Sequence, residues 1–84
     1  MFKSKLEKGI DFLKAGKYDD AIGHFSQMLS KDPKDCEAQF SLAKAYFKKN
    51  DIAKIKENLL KCLELQPDEE IIKEIVEITN FKKI

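Results

Sequence analysis

Few residues in this 84-residue chain could carry chemistry, and their spacing decides what each could do. His24 is the only histidine, and no serine, cysteine or carboxylate stands near it in the pattern of a hydrolytic triad. Midway along an amphipathic segment, it is expected on a solvent-facing surface. Cys36 and Cys62 are too few and too far apart in sequence for a zinc site. Two cysteines could form one disulfide, but a lysine-rich chain without an export-signal stretch is expected to keep reduced thiols. Cys62 falls on an apolar stripe and reads as buried. Cys36 stands at a helix start, where a thiol can be somewhat activated. Asp19-Asp20 and Glu69-Glu70 could be taken for acid–base pairs. Both lie where first helical turns are expected, and acids there complement the helix dipole. Lys48-Lys49 and Lys82-Lys83 sit near expected helix C-termini, where cations are favourable. There is no glycine-rich phosphate loop. These residues support no enzyme, no cofactor and no metal site.

The elements that would position them follow from the apolar spacing. Phe2, Leu6, Ile10 and Leu13 recur at steps of three or four, and so do Ala21, Phe25, Met28 and Leu29. Leu42, Ala45 and Tyr46 repeat the pattern, as do Ile55, Leu59, Cys62 and Leu63, and then Ile71, Ile72, Ile75, Val76 and Ile78. The spacing predicts helices over about 2–15, 18–31, 35–48, 51–65 and 68–82, and no strand. Gly16 is placed to close the first helix in the left-handed conformation, and Asn50 to close the third. Asp32-Pro33 and Gln66-Pro67 end the second and fourth. Connections this short force successive helices to run antiparallel.

Composition narrows the function classes. Sixteen basic residues, all lysine, face fifteen acidic ones, for a net charge of +1. That balance argues against nucleic acid or an anionic membrane surface as partner. The absence of arginine removes the side chain best suited to bidentate phosphate or carboxylate recognition. No apolar run exceeds three residues, so none spans a membrane, and the chain is expected to be cytoplasmic. The length allows one domain.

A shift of 34 residues lays the chain on itself. Pro33 falls on Pro67, Leu29 on Leu63 and Lys14 on Lys48. Leu6 meets Phe40, Gly9 meets Ala43, Phe12 meets Tyr46, Gly16 meets Asn50 and Phe25 meets Leu59. Matched apolar positions and matched breaks at one period make a repeat.

A helix–turn–helix repeat of this length resembles the tetratricopeptide repeat. The first copy carries Gly9, Phe12, the run Gly16-Lys17-Tyr18-Asp19-Asp20-Ala21, Phe25 and Pro33 at the family's spacing. The second has Leu42, Ala43, Tyr46, Leu59 and Pro67. It departs at Asn50, where glycine is usual, and at Ile55, where alanine is usual and the larger side chain should splay the hairpin slightly. Lys5 and Gln39 stand where a large apolar residue is common. The resemblance covers about 80% of the chain. It implies an all-α superhelix: repeat 1 over 2–35, repeat 2 over 36–69 and a capping helix over 70–84. Glu77 and Asn80 occupy positions that would face a following helix, so the cap is expected to show a polar outer face. Lys5 and Lys8 are the counterpart at the other end. Small residues at Gly9, Ala21 and Ala43 should let helices approach closely, with Phe12, Phe25, Tyr46 and Leu59 filling the space beside them.

The resemblance also implies a concave binding groove, lined by the first helix of each repeat and by the cap. Its positions here hold Leu6, Ile10 and Leu13, then Phe40, Ser41, Lys44, Phe47 and Lys48, then Ile71, Ile75, Ile78 and Phe81. Some family members bind acidic chaperone C-terminal tails through lysine, asparagine and arginine at such positions. Here the corresponding residues are Leu6, Ile10, Ser41, Ile71 and Ile75, so no such tail is expected to bind. An apolar groove fits a protein partner presenting an apolar peptide or amphipathic helix, with Lys44 and Lys48 at the rim. The alternative is a homodimer that buries the groove or the capping helix, because two repeats fall below the roughly three usual for stability.

Overall fold

Ser4 starts the first helix. Its hydroxyl accepts from the Glu7 amide, and the Glu7 carboxylate accepts from the Ser4 amide, a reciprocal cap. The computed structural model describes residues 3–84, so the expected start of this helix at residue 2, and Phe2 itself, lie outside the described residues. Five helices follow in order: α1 (Lys5–Lys14), α2 (Tyr18–Lys31), α3 (Cys36–Lys49), α4 (Ile52–Glu64) and α5 (Glu69–Lys82). Among the described residues there is no strand. Asp35, Asp51 and Asp68 cap α3, α4 and α5 by accepting from the amides of Ala38, Lys54 and Ile71. Asp19 and Asp20 stand in the first turn of α2, and Glu69 and Glu70 in that of α5.

Gly16 takes a φ of 76° after α1, and the Lys17 amide reaches back to the Phe12 carbonyl at 2.8 Å. Asn50 does the same after α3 with a φ of 59°, and the Asp51 amide donates to the Tyr46 carbonyl. The third break is different. Gln66, directly before Pro67, is also left-handed, at a φ of 56°. Proline removes the residue before it from the right-handed helical region, and here that residue crosses to positive φ, where a β-carbon is disfavoured.

The helices stack in chain order, each packing chiefly on the next, with α1 also touching α3. Two apolar clusters hold the stack. One joins Ala21 and Phe25 of α2 to Leu42 and Ala45 of α3, with Leu6, Ile10, Phe12 and Leu13 of α1 packed against it. The other joins Phe40 and Ala43 of α3 to Ile55, Leu59 and Cys62 of α4 and Ile75 of α5. Gly9 is buried beneath the Phe25 ring, which packs so closely that a methyl group there would overlap it. Ile55, at its alanine-type position, is fully buried in the second cluster.

Two expectations change, and Gln39 gains a partner that the repeat pattern does not show. His24 is only partly open to solvent: it is half-buried beside Phe12 and Phe25, with ring centroids 6.0 and 6.1 Å away. Its Nε2 lies 2.5 Å from the Lys5 carbonyl oxygen, so it ties α2 to the start of α1. Its stripe on α2 borders α1, which periodicity within α2 does not reveal. Gln39, where a large apolar residue is common, is buried and donates to Asn58 Oδ1 at 2.6 Å, while Asn58 donates to the Lys54 carbonyl. Among the described residues no buried side-chain polar atom lacks a partner. Finally, the outer face of α5 is not wholly polar. Ile72, Val76 and Phe81 remain 42%, 49% and 74% exposed, because α5 meets the stack through Ile71, Ile75 and Ile78 instead. Val76 therefore does not share the burial of Leu42, its counterpart one repeat earlier.

Candidate functional site

Apolar side chains at i, i+3 and i+4 on α1 and α3 leave one flank of each helix turned toward the space between α1, α3 and α5. Ile10 and Leu13 of α1, Phe47 of α3 and Ile78 of α5 form the apolar part of an open cavity of about 520 Å³. Lys14, Lys44, Lys48, Glu74 and Glu77 supply its charged edge, and Tyr18 reaches in from α2. A shallower hollow of about 280 Å³ continues past Lys44 and Glu74 and is lined by Leu6, Phe40, Ser41 and Ile71 together with the acidic Glu37, Asp68 and Glu70. Lys44 Nζ lies 4.0 Å from Glu74 Oε1, an exposed ion pair that spans α3 and α5 between the two hollows. The same ammonium sits 5.2 Å from the centre of the Phe40 ring.

The residues assigned to the groove from sequence therefore divide. Ile10, Leu13, Lys44, Phe47, Lys48 and Ile78 line the larger hollow, and Leu6, Phe40, Ser41, Lys44 and Ile71 the smaller one. Phe40 and Ser41 are nearly covered, at 4% and 6% exposed, so they support the wall more than they offer contact, and Ile75 lines neither hollow because it is buried in the second cluster. Phe81 lines neither hollow; its ring stacks at a tilt on Phe47 at 5.7 Å, with Lys82 over both.

Four residues of the larger hollow were not anticipated, Lys14, Tyr18, Glu74 and Glu77, and neither were Glu37, Asp68 and Glu70 of the smaller one. Tyr18 had its reason in the repeat pattern alone. Glu77 was assigned to the outer face of α5, yet it borders the cavity. The register of α5 around its axis is set by which isoleucines find the α3–α4 core, and the mixed Ile71, Ile72, Ile75, Val76 and Ile78 run leaves that choice to packing.

Among the described residues no group of three or more histidine, cysteine or acidic side chains could hold a metal ion. Cys36 and Cys62 are nevertheless not far apart in space: their Sγ atoms are 3.4 Å apart. Separation in sequence misled here because the antiparallel pair α3–α4 returns the end of one helix to the start of the other. No described helix is long and apolar enough to cross a membrane.

A family model described as tetratricopeptide repeat matches residues 12–72. Among curated proteins, the chain is similar to Hsp70-Hsp90 organizing protein 2 of Arabidopsis thaliana, with 38% identity over 61 residues, covering 73% of this chain and 11% of that protein. It is similar to Superkiller complex protein 3 of Mus musculus, with 35% identity over 63 residues, covering 75% of this chain and 4% of that protein. It is 34% identical over 65 residues to Hsp70-Hsp90 organizing protein 3 of Arabidopsis thaliana, covering 77% of this chain and 12% of that protein. The chain thus spans 12% or less of the length of these relatives. No solved structure matches at a significant level.

Proposed function

Because this chain belongs to the tetratricopeptide repeat family, whose members are protein-interaction modules, we propose that it is a non-catalytic adaptor that takes an apolar or amphipathic peptide or helix in its concave groove. Residues 2–35 and 36–69 are the two repeats on this reading, and 70–84 the cap. The observation that carries it is the cavity between α1, α3 and α5, with Ile10, Leu13, Phe47 and Ile78 inside and lysines and glutamates around it. Apolar anchors of a helix at i, i+3 and i+4 would enter that hollow, and its polar face would meet the mixed charges at the edge.

Two of the relatives carry Hsp70 and Hsp90 in their names. The clamp that holds an acidic tail in some family members needs cationic or amide groups at particular groove positions. Leu6, Ile10, Ile71 and Ile75 offer none, and Ser41 is nearly covered. An acidic tail is therefore not the ligand we assign. Charge balance likewise leaves nucleic acid and membrane surfaces out of the assignment, and no cofactor is needed for docking.

The test is a selection of helical peptides from a displayed library against the whole chain, followed by mapping with amide chemical shifts. Expected are apolar or amphipathic binders whose shifts centre on Ile10, Leu13, Phe47 and Ile78, weakened at least tenfold by Leu13→Lys. Binders that map to the α2–α4 side, or that ignore Leu13→Lys, would overturn the assignment.

A second reading rests on a separate observation. Leu60 and Leu63 of α4 and Ile72 and Val76 of α5 are each between 42% and 62% exposed. Apolar surface of that kind favours self-association through the capping end, which leaves the groove free.

A further inference from the structure

The α3–α4 hairpin is closed at one end by its turn at Asn50 and Asp51. At its open end stand Cys36, the first residue of α3, and Cys62, in the last turn of α4. Their sulfurs are 3.4 Å apart, and each also lies within 4 Å of the other residue's carbonyl oxygen, at 3.9 and 3.8 Å. A disulfide bond needs the sulfurs about 1.4 Å closer. The two differ in access. Cys36 is half-buried, whereas Cys62 is wholly enclosed in the second apolar cluster.

We propose that Cys36 and Cys62 form a reversible dithiol–disulfide pair that staples the open end of the second repeat, with a low-molecular-weight disulfide as the oxidant. Cys36, as thiolate, attacks one sulfur of that disulfide and expels a small thiolate, which takes up a proton. Cys62 then gives up its proton and attacks Cys36 Sγ, forming the internal S–S bond and releasing the second small thiol. Two cysteine thiols are oxidised and one external disulfide is reduced to two thiols, so electrons and protons balance. Burial and the hydrogen bond with Cys36 push the Cys62 thiol up to about 12, which fits a residue that waits for its neighbour instead of meeting the oxidant itself. The staple closes a sequence separation of 26 residues and removes freedom from the unfolded chain.

The experiment titrates the whole chain with glutathione disulfide and follows intact mass, oligomer size and melting. Expected is a chain that loses two hydrogens in mass with no covalent link to a second chain and gains about 10 °C or more in Tm, reversed by a dithiol reductant. Cys62→Ala should stop at a glutathione adduct on Cys36, and Cys36→Ser should remain unmodified while folded. A wild-type chain that stops at the glutathione adduct, or that cross-links between molecules, would overturn the pair. An internal disulfide without a rise in Tm would overturn its role as a staple.

Discussion

Gly9 shows what a single position can demand. Its α-carbon lies so close to the Phe25 ring that a methyl group would overlap it. Alanine in place of helical glycine ordinarily gains about 1 kcal/mol, while overpacking a close contact costs about 1–3 kcal/mol. Gly9→Ala should therefore lose stability, by up to about 2 kcal/mol net, seen as a lower denaturation midpoint in urea. Gly23 provides the control, since nothing lies within 4 Å of a methyl group there, and Gly23→Ala should stabilise the chain. Cys62 gives a residue-scale prediction in pH. Its thiol is held above the ordinary 9.0, at about 12, chiefly by burial. Between those two values the unfolded chain has released the proton and the folded chain has kept it. Stability is therefore fully present below about pH 9 and falls as pH rises toward 12. Cys62→Ala should flatten that alkaline fall relative to wild type, measured by denaturation at a series of pH values.

At the scale of the helices, every break had a local cause that the sequence displays. Glycine and asparagine close α1 and α3, and prolines follow the ends of α2 and α4. The aspartates at 35, 51 and 68 and the Ser4–Glu7 pair follow recognisable capping patterns, although periodicity alone placed each start a residue or more early. What periodicity does not show is the backbone conformation at Gln66. Gln66→Gly removes a β-carbon from a left-handed position and should stabilise the chain by about 0.5–1 kcal/mol, raising Tm by a few degrees. The pairing between α3 and α4 was equally hidden. Asn58→Ala strands the buried Gln39 amide and should cost about 1–3 kcal/mol, whereas replacing both Gln39 and Asn58 by leucine should come close to neutral. Comparing the single and double variants by chemical denaturation checks the pair.

In the whole molecule, the 34-residue period becomes a stack of two helix pairs and one further helix, with a groove on one side. The ion pair between Lys44 and Glu74 crosses that groove on the surface. An exposed pair is worth about 0–1 kcal/mol, so it can open to a ligand at little cost. The apolar residues left open on α4 and α5 place the second reading at this scale too. Sedimentation should show an association that strengthens with concentration and weakens in Val76→Lys, while Leu13→Lys leaves it unchanged. Equal effects of the two substitutions would mean that the groove itself is the self-contact.

Sequence by itself determined the helices, their breaks, the repeat and the family, because these depend on spacing and on residues a few positions apart. The resemblance that these residues carry also named six residues of the larger hollow, because the family's groove positions fall on α1, α3 and α5. Tertiary structure decided the rest: His24 against α1, Gln39 with Asn58, Cys36 beside Cys62, and the rotation of α5 that brings Glu77 to the groove and leaves Val76 open. Each of these depends on a partner from another helix. Helical periodicity says which residues share a face, but only packing chooses which face meets which neighbour.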